Sequence, residues 1–211
     1  MIFRKISRFF LDKIVVKFDA FKIKKIVDYF FIIMEKIVFK IDDLLPIYLS
    51  FYENMIEKEV FLAEISSEDK ILHIGCGSIP ATCILLVEKT NCSTTGIDKN
   101  FRSVKQANKL IKNKKLDNKI HIKHADGLDF PVESFDVIIV SQGIKPAFEV
   151  LKKISLSFKK TSYVIYRTNV SSDGTLTDKD IFLSSLFEIK QVSHQKKNAL
   201  LGSVLLTRKQ N

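Results

Sequence analysis

A glycine-containing turn follows the first strand-like run of this chain. Three of residues 71–74 are apolar, and the run leads into Gly75-Cys76-Gly77 before a helical pattern begins at residue 81. In an open α/β sheet, ligands bind beyond the carboxyl ends of the strands, near the first crossover. Glycines at that place let the backbone come close to a ligand, because no Cβ stands in the way. The turn is therefore a candidate ligand site, and a tight strand-to-helix turn is the alternative.

An acidic residue ends the second strand-like run. Asp98 follows residues 93–97 and lies twenty-one residues after Gly77. A carboxylate at that distance and at a strand tip can accept hydrogen bonds from both hydroxyls of a ribose. Its alternative role is to cap the helix that begins at Phe101, a role that Asn100 would serve as well. The two roles are compatible, and we predict that Asp98 binds a ribose.

A second acid follows the third strand-like run, in the sequence His124-Ala125-Asp126-Gly127. The carboxylate of Asp126 can accept a hydrogen bond from the amino group of an adenine. Asp126-Gly127 is also typical of a simple turn. Because three such features occur at the tips of three successive strands, the sequence favours a ligand that contains a nucleoside.

The elements that must position these residues alternate from Lys70 onward. Strand–helix alternation at this spacing predicts a Rossmann-like α/β fold, with a mostly parallel sheet and helices on both faces. The last two strand-like runs are too close together for a crossover helix, so we predict a C-terminal antiparallel hairpin. The predicted strands are 71–74, 93–97, 119–122, 136–140, 162–166, 187–192 and 200–206, and the predicted helices between them are 81–89, 101–116 and 147–158.

The run ILHIGCGSIPATCILL, followed by TTGIDKN, HADGLDFP and FDVIIVSQ, resembles the S-adenosylmethionine (SAM)-binding half of class I methyltransferases over residues 70–140. The resemblance implies SAM as the cofactor, with Gly75 and Gly77 under its methionine part. It also implies that Asp98 holds the ribose and that Asp126 faces the adenine. The candidate cofactor-binding set is completed by two residues that follow the third and fourth strands, Gly127 and Ser141.

Two residues depart from the usual pattern of that family. His73 stands where an acid is common, and Ile79 stands where a third glycine is common. The form GCGSIPAT is similar to the loop of nicotianamine-synthase-like proteins, which transfer the aminocarboxypropyl group of SAM and not its methyl group. NAD is the competing cofactor, but its sites use a third glycine for close helix–strand packing. Pro80 opens the helix here instead, and the hairpin also argues against an NAD fold.

Group transfer from SAM needs few side chains, because the sulfonium is already activated. The protein must hold a nucleophile in line with the reactive carbon and remove its proton. The candidate catalytic residues are Tyr52 and Glu59, before the first strand, and Gln142, at the tip of the fourth. By the resemblance to nicotianamine synthases, Glu59 matches an acid that helps hold the substrate amine. A solvated helix face for Glu59 and a core position for Tyr52 are the alternatives.

The sequence does not predict a metal site. His121 and His124 are three residues apart on a predicted strand and would point to opposite faces. The three cysteines lack the spacing of zinc ligands, and Cys76 is interpreted as a small space-filling residue in the cofactor loop. A sparse, odd number of cysteines without a secretory signal favours a reduced, cytoplasmic protein.

Residues 1–65 are predicted to form a helical extension, and residues 66–211 the SAM-binding domain. No Gly and only one Pro precede Gly75, and these residues are the usual helix breakers. Residues 1–40 hold ten Lys/Arg, four Asp/Glu and eight of the seventeen Phe. Their longest apolar run is too short for a transmembrane span. The extension is predicted to be a lid or a homodimer contact, and a membrane surface, nucleic acid or an acidic partner is the alternative.

The predicted function is that of a SAM-dependent methyltransferase acting on a small molecule or a protein side chain. Transfer of the aminocarboxypropyl group is the first alternative. A non-catalytic SAM-fold protein that binds RNA or membrane through its basic arm is the second. The fourth strand lacks the Asn/Asp-Pro-Pro-aromatic sequence of enzymes that methylate amino groups of nucleic acids, so a nucleic-acid substrate is not favoured.

Overall fold

The computed structural model describes residues 44–171, 175–176, 181–194 and 201–209. Residues 49–211 form one compact unit. Helix α1 (Leu45–Ser50) begins before residue 49 in the sequence and ends just after it. Residues 1–43 of the predicted helical extension, and with them the predicted lid or homodimer contact, lie outside the described residues. The predicted domain boundary between residues 65 and 66 stays a prediction.

Seven strands of the described chain form one sheet, in the order β3-β2-β1-β4-β5-β7-β6. The first five strands pair in parallel, whereas β7 pairs antiparallel with both β5 and β6. The predicted Rossmann-like sheet with a C-terminal antiparallel hairpin is therefore confirmed. The strands are β1 (Lys70–Ile74), β2 (Ser93–Asp98), β3 (Ile120–His124), β4 (Val137–Val140), β5 (Tyr163–Asn169), β6 (Glu188–His194) and β7 (Leu201–Thr207).

The helices predicted after β1, β2 and β4 are present. The one after β2 ends three residues earlier than predicted, and close beyond its end Lys115 has a φ of +56°, which a right-handed helix cannot contain. No helix in the described ranges has both the length and the apolar content that crossing a membrane requires. The helices after α1 are α2 (Glu53–Leu62), α3 (Ala81–Thr90), α4 (Phe101–Asn113), α5 (Ala147–Ser157) and α6 (Leu183–Leu186).

The described part of the helical extension predicted for residues 1–65 is divided into two helices, α1 and α2 (Glu53–Leu62). After α1, the amide of Tyr52 donates to the carbonyl of Leu49 at 2.9 Å, a three-residue spacing that tightens the chain. Helix α2 then begins at Glu53. Apolar residues recur at helical spacing on both sides of the turn, so periodicity alone does not reveal the break.

The register of the sheet brings the candidate residues to one edge. At its carboxyl end, β1 pairs Ile74 with Ile97 of β2 and with Val140 of β4. These apolar side chains belong to the buried core that holds the three strands in register. Parallel strands have their carboxyl ends at the same edge of a sheet. The Gly75 turn, Asp98 and Ser141 therefore all lie at that edge.

Candidate cofactor and active site

A pocket of about 260 Å³ opens at the carboxyl ends of β1, β2, β3 and β4. This is the edge at which ligands bind in open α/β sheets. Five of the six residues predicted to bind the cofactor line this pocket. The sixth, Gly77, does not line it but is hydrogen-bonded to the lining residue Asp98. The lining residues are Ile74, Gly75, Ile97, Asp98, Lys99, Ala125, Asp126, Gly127, Ser141, Gly143, Ile144 and Lys145.

The glycine turn has a backbone that other residues rarely adopt. Gly75 and Gly77 have φ values of +82° and +69°. A Cβ added to Gly75 would lie 2.5 Å from Cδ1 of Ile144. The amides of Gly75 and Cys76 both donate to the carbonyl of Ile97, at 2.8 and 3.0 Å, and so tie the turn to β2. The turn therefore forms a cradle that a side chain would fill, which fits the close approach of a cofactor.

Asp98 connects the glycine turn to the start of α4. Its Oδ2 accepts from the amide of Gly77 at 2.9 Å, and its Oδ1 accepts from the amide of Asn100 at 2.8 Å. The helix cap itself is Asn100, whose side chain accepts from the amides of Arg102 and Ser103. Each carboxylate oxygen of Asp98 keeps a further lone pair for a ligand. The half-buried carboxylate is thus held in place at the wall of the pocket.

Asp126 and Gly127 line the pocket beyond β3. Oδ1 of Asp126 accepts from the amide of Leu128 at 3.0 Å, so the turn predicted as the alternative role is present. The side chain is exposed, and it can still face a ligand. Gly127 is buried, and a Cβ there would lie 2.8 Å from Cγ2 of Ile74. The chain can therefore pass this close to β1 only with a glycine.

Lys99 joins the two sides of the pocket, a contact that sequence reasoning missed. Its Nζ donates to the carbonyl of Lys145 at 3.1 Å, which links the segment after β2 to the one after β4. The carbonyl of Lys99 in turn lies 3.0 Å from Nε2 of His124. These bonds connect residues that are 46 and 25 positions apart, so no local pattern could have indicated them.

His73 lies beneath the glycine turn and is almost completely buried, at 3% exposure. Its Nε2 lies 2.8 Å from Oγ of Ser141, and the Ser141 hydroxyl donates to the carbonyl of Gly75 at 3.1 Å. Burial, followed by the charge of Arg167, holds the pKa of His73 well below its usual value. The imidazole is therefore neutral near pH 7. The sequence marked His73 only as a departure from the family pattern.

Glu59 is fully buried in an ion pair with Arg167 of β5. Its Oε1 accepts from Nε of Arg167 at 2.8 Å and from Oγ of Ser203 at 2.6 Å, and its Oε2 accepts from Nη2 of Arg167 at 2.7 Å. Nη1 of Arg167 donates to Oγ1 of Thr82. The carboxylate thus has a hydrogen-bond donor at each oxygen, and it connects α2 to β5 and β7.

The three candidate catalytic residues are not brought together around the pocket. Glu59 is enclosed in the ion pair, and Tyr52 lies half-buried in the turn between α1 and α2. Gln142 follows the pocket residue Ser141, and its Nε2 donates to Oδ1 of Asn169 at 2.6 Å. Of the three, only Gln142 is next to a pocket-lining residue. Their catalytic roles stay predictions.

The cysteines and histidines show no metal-binding arrangement in the residues that the structure describes. Cys76, Cys83 and Cys92 are free and buried. Cys76 fills space beside Gly96, where an added Cβ would meet the Cβ of Cys76 at 3.0 Å. His121 and His124 are both exposed, and the ring of His124 makes an edge-to-face contact with Phe101.

Comparison with known proteins identifies the family. Residues 65–205 match the family described as "Methyltransferase domain". An uncharacterized protein of Haemophilus influenzae is 26% identical over 120 residues, covering 56% of this chain and 45% of the relative. A sterol 24-C-methyltransferase of Debaryomyces hansenii is 33% identical over 85 residues, covering 38% of this chain and 22% of the relative. The chain spans less than half the length of these curated relatives.

Solved structures share the fold. A mutant of MtNAS, crystallised with S-adenosylmethionine, has a TM-score of 0.70 and 21% identity, covering 84% of this chain and 71% of that one. A putative S-adenosylmethionine-dependent methyltransferase of Methanococcus maripaludis has a TM-score of 0.63 and 14% identity, covering 84% and 93%. With two thirds of its length matched by the family, the chain belongs to the methyltransferase domain family, within the class I superfamily that uses S-adenosylmethionine as its cofactor.

Proposed function

We propose that the protein transfers a methyl group from SAM to a small molecule or to a protein side chain. The observation that carries this proposal is the pocket at the strand tips, with a glycine turn and two carboxylates in its wall. Membership of the methyltransferase domain family supports it. The competing cofactor is NAD, whose sites use a third glycine for close helix–strand packing. Ile79 and Pro80 follow the turn here instead, which argues against NAD.

The cofactor supplies an activated sulfonium, and the protein's part is to bind and orient. In this proposal the turn around Gly75 and Gly77 accommodates the methionine part. Asp98 accepts hydrogen bonds from the ribose hydroxyls, and Asp126 accepts one from the adenine amino group. Gly127 and Ser141 line the same pocket. Holding the reacting atoms in line lowers the barrier, because the reactants no longer have to find that orientation by chance.

The acceptor is proposed to approach beside the tip of β4. Gln142 is the residue there whose amide can orient an acceptor, since it is half-buried and already held by Asn169. Tyr52 and Glu59 are the other candidate catalytic residues.

The three free, buried thiols support a reducing, cytoplasmic environment.

Transfer of the aminocarboxypropyl group is the second candidate. Two observations favour it: the loop GCGSIPAT and the structural likeness to MtNAS, whose TM-score of 0.70 exceeds the 0.63 of the methyltransferase reported above. In this version Glu59 would act on the substrate amine. Its enclosure by Arg167 and Ser203 instead supports a role in holding α2 on the sheet.

Titration calorimetry of the full-length chain tests the cofactor. We expect binding of S-adenosylhomocysteine and no binding of NAD. Micromolar binding of NAD without any response to S-adenosylhomocysteine would rule the proposal out. The mass gained by an acceptor then separates the two reactions, because one adds a methyl group and the other a four-carbon amino acid unit.

A further inference from the structure

The hydroxyl of Ser141 joins the tip of β4 to the glycine turn. It donates to the carbonyl of Gly75 at 3.1 Å, across 66 positions of sequence. The amide of Ser141 donates to the carbonyl of Ile74 at 3.1 Å, so its backbone is fixed by the sheet. The direction of the hydroxyl then decides whether the carbonyl of Gly75 is held.

His73 determines that direction. Since the hydroxyl proton of Ser141 is used on Gly75, its oxygen must accept the hydrogen bond from Nε2 of His73, at 2.8 Å. The neutral imidazole therefore carries its proton on Nε2, which leaves Nδ1 as an acceptor. Sγ of Cys83 lies 3.9 Å from Nδ1, and burial raises the pKa of that thiol to about 12, so it remains protonated and can donate.

A row of hydrogen bonds therefore runs from the thiol of Cys83 through His73 and Ser141 to the carbonyl of Gly75. Each bond in this row has one donor and one acceptor. The imidazole is enclosed, at 3% exposure, so water does not compete for Nε2. The charge of Arg167, which helps to lower the pKa of His73, is paired with Glu59.

We propose that His73 is a positioning residue for the cofactor pocket, because it orients the Ser141 hydroxyl that holds the Gly75 carbonyl and so fixes the glycine turn. This inference rests on the proposed cofactor role of that turn. Without the Nε2 donor, the hydroxyl of Ser141 is free to turn away, and Gly75 loses its link to β4. His73 is buried and does not line the pocket, so in this proposal it acts through Ser141.

The test compares two replacements of His73 that both remove the contact with Cys83. His73→Gln retains an amide N–H at about the distance of Nε2 from the backbone, whereas His73→Met has a similar size and no donor. For full-length protein, we expect His73→Met to raise the Kd for S-adenosylhomocysteine about tenfold, the cost of one lost buried hydrogen bond. His73→Gln should stay close to the wild type. Equal losses in the two variants, or no loss in either, would overturn the proposal.

Ser141→Ala provides the second half of the test. If His73 acts through Ser141, the variant that combines His73→Met with Ser141→Ala should bind no more weakly than Ser141→Ala alone. Losses that multiply in the double variant would show that His73 acts by another route.

Two measurements on the free protein separate this inference from the proposed function. Imidazole ¹⁵N chemical shifts should show His73 protonated on Nε2, and the opposite tautomer would contradict the proton order. Amide hydrogen exchange at Cys76 and Gly77 should be faster in His73→Met than in His73→Gln. Equal exchange would overturn the positioning role, whereas a wild-type protein that ignores S-adenosylhomocysteine would overturn only the proposed function.

Discussion

Asp98 has two roles in one carboxylate, since it braces the glycine turn through Gly77 and stands at the proposed ribose site. We expect Asp98→Ala to weaken binding of S-adenosylhomocysteine by about 2 kcal/mol or more without unfolding the domain, because charge-assisted hydrogen bonds to the ribose are lost. Calorimetry measures the binding, and thermal denaturation measures the fold. Asn100→Ala is the matched control, since it removes the cap of the same helix start at a cost in stability of about 1 kcal/mol. An Asp98→Ala variant that binds like the wild type would limit this residue to bracing the turn.

His73 makes the stability of the domain depend on pH. Its pKa in the folded state is held below 6.5 by burial and Arg167, whereas the unfolded chain has the ordinary value. As the pH falls through about 6.5, the unfolded state takes up a proton that the folded state does not. The free energy of unfolding should therefore decrease toward acid, by up to about 1.4 kcal/mol per pH unit, until the folded pKa is reached.

Urea unfolding between about pH 8 and about pH 5 measures this slope in wild type and in His73→Gln. The variant should lose part of the acid sensitivity. His121→Gln serves as the matched control, because it makes the same replacement at an exposed histidine of β3. Identical slopes in wild type and His73→Gln would show that the acid sensitivity has another origin.

Two ion pairs connect helix α2 to the rest of the unit, one buried and one exposed. Glu59 is fully buried against Arg167, whereas Glu57 makes a bridge to Lys89 with its side chain 58% exposed. Removing one partner of a buried pair leaves an uncompensated charge, which costs about 3–5 kcal/mol. We therefore expect Glu59→Gln to lower the free energy of unfolding by that order, and Glu57→Gln by less than about 1 kcal/mol.

The comparison also bears on the candidate catalytic role of Glu59. If the carboxylate only stabilises α2, Glu59→Gln should lower the melting temperature while the folded fraction keeps its turnover per molecule. Equal stability of the two variants, together with a large loss of turnover in Glu59→Gln, would favour the catalytic role. Chemical denaturation and activity per folded molecule are the two readouts.

For the molecule as a whole, two membrane roles are considered for the basic residues 1–45, namely crossing a bilayer and binding to its surface. Charges such as Arg8 and Lys13 interrupt any apolar span, and each costs about 2.5–3.5 kcal/mol at the centre of a bilayer. A basic face opposite phenylalanines is, however, what an interfacial helix contains. We expect the full-length chain to remain in the supernatant with both anionic and neutral vesicles. Pelleting with anionic vesicles at physiological salt, absent from a truncated chain that begins at Leu44, would make the arm a membrane anchor.

The sheet, the hairpin and the positions of Gly75, Asp98 and Asp126 could be predicted from local patterns, because periodicity, glycines and strand-end acids are features of a few neighbouring residues. Local patterns do not reveal a helix boundary where the apolar periodicity continues across the break, as between α1 and α2. Five of the residues that line the pocket could be predicted from the sequence, because parallel strands bring their carboxyl ends to one edge of the sheet.

The contacts between distant polar groups depend on the folded chain and could not be predicted. His73 and Ser141 are 68 positions apart, Glu59 and Arg167 are 108 apart, and Glu59 and Ser203 are 144 apart. In sequence, Glu59 looks like a residue on a solvated helix face, and its burial becomes favourable only when Arg167 and Ser203 supply donors. A buried charge or imidazole takes its role from partners that folding brings to it, and those partners leave no trace in the spacing of neighbouring residues.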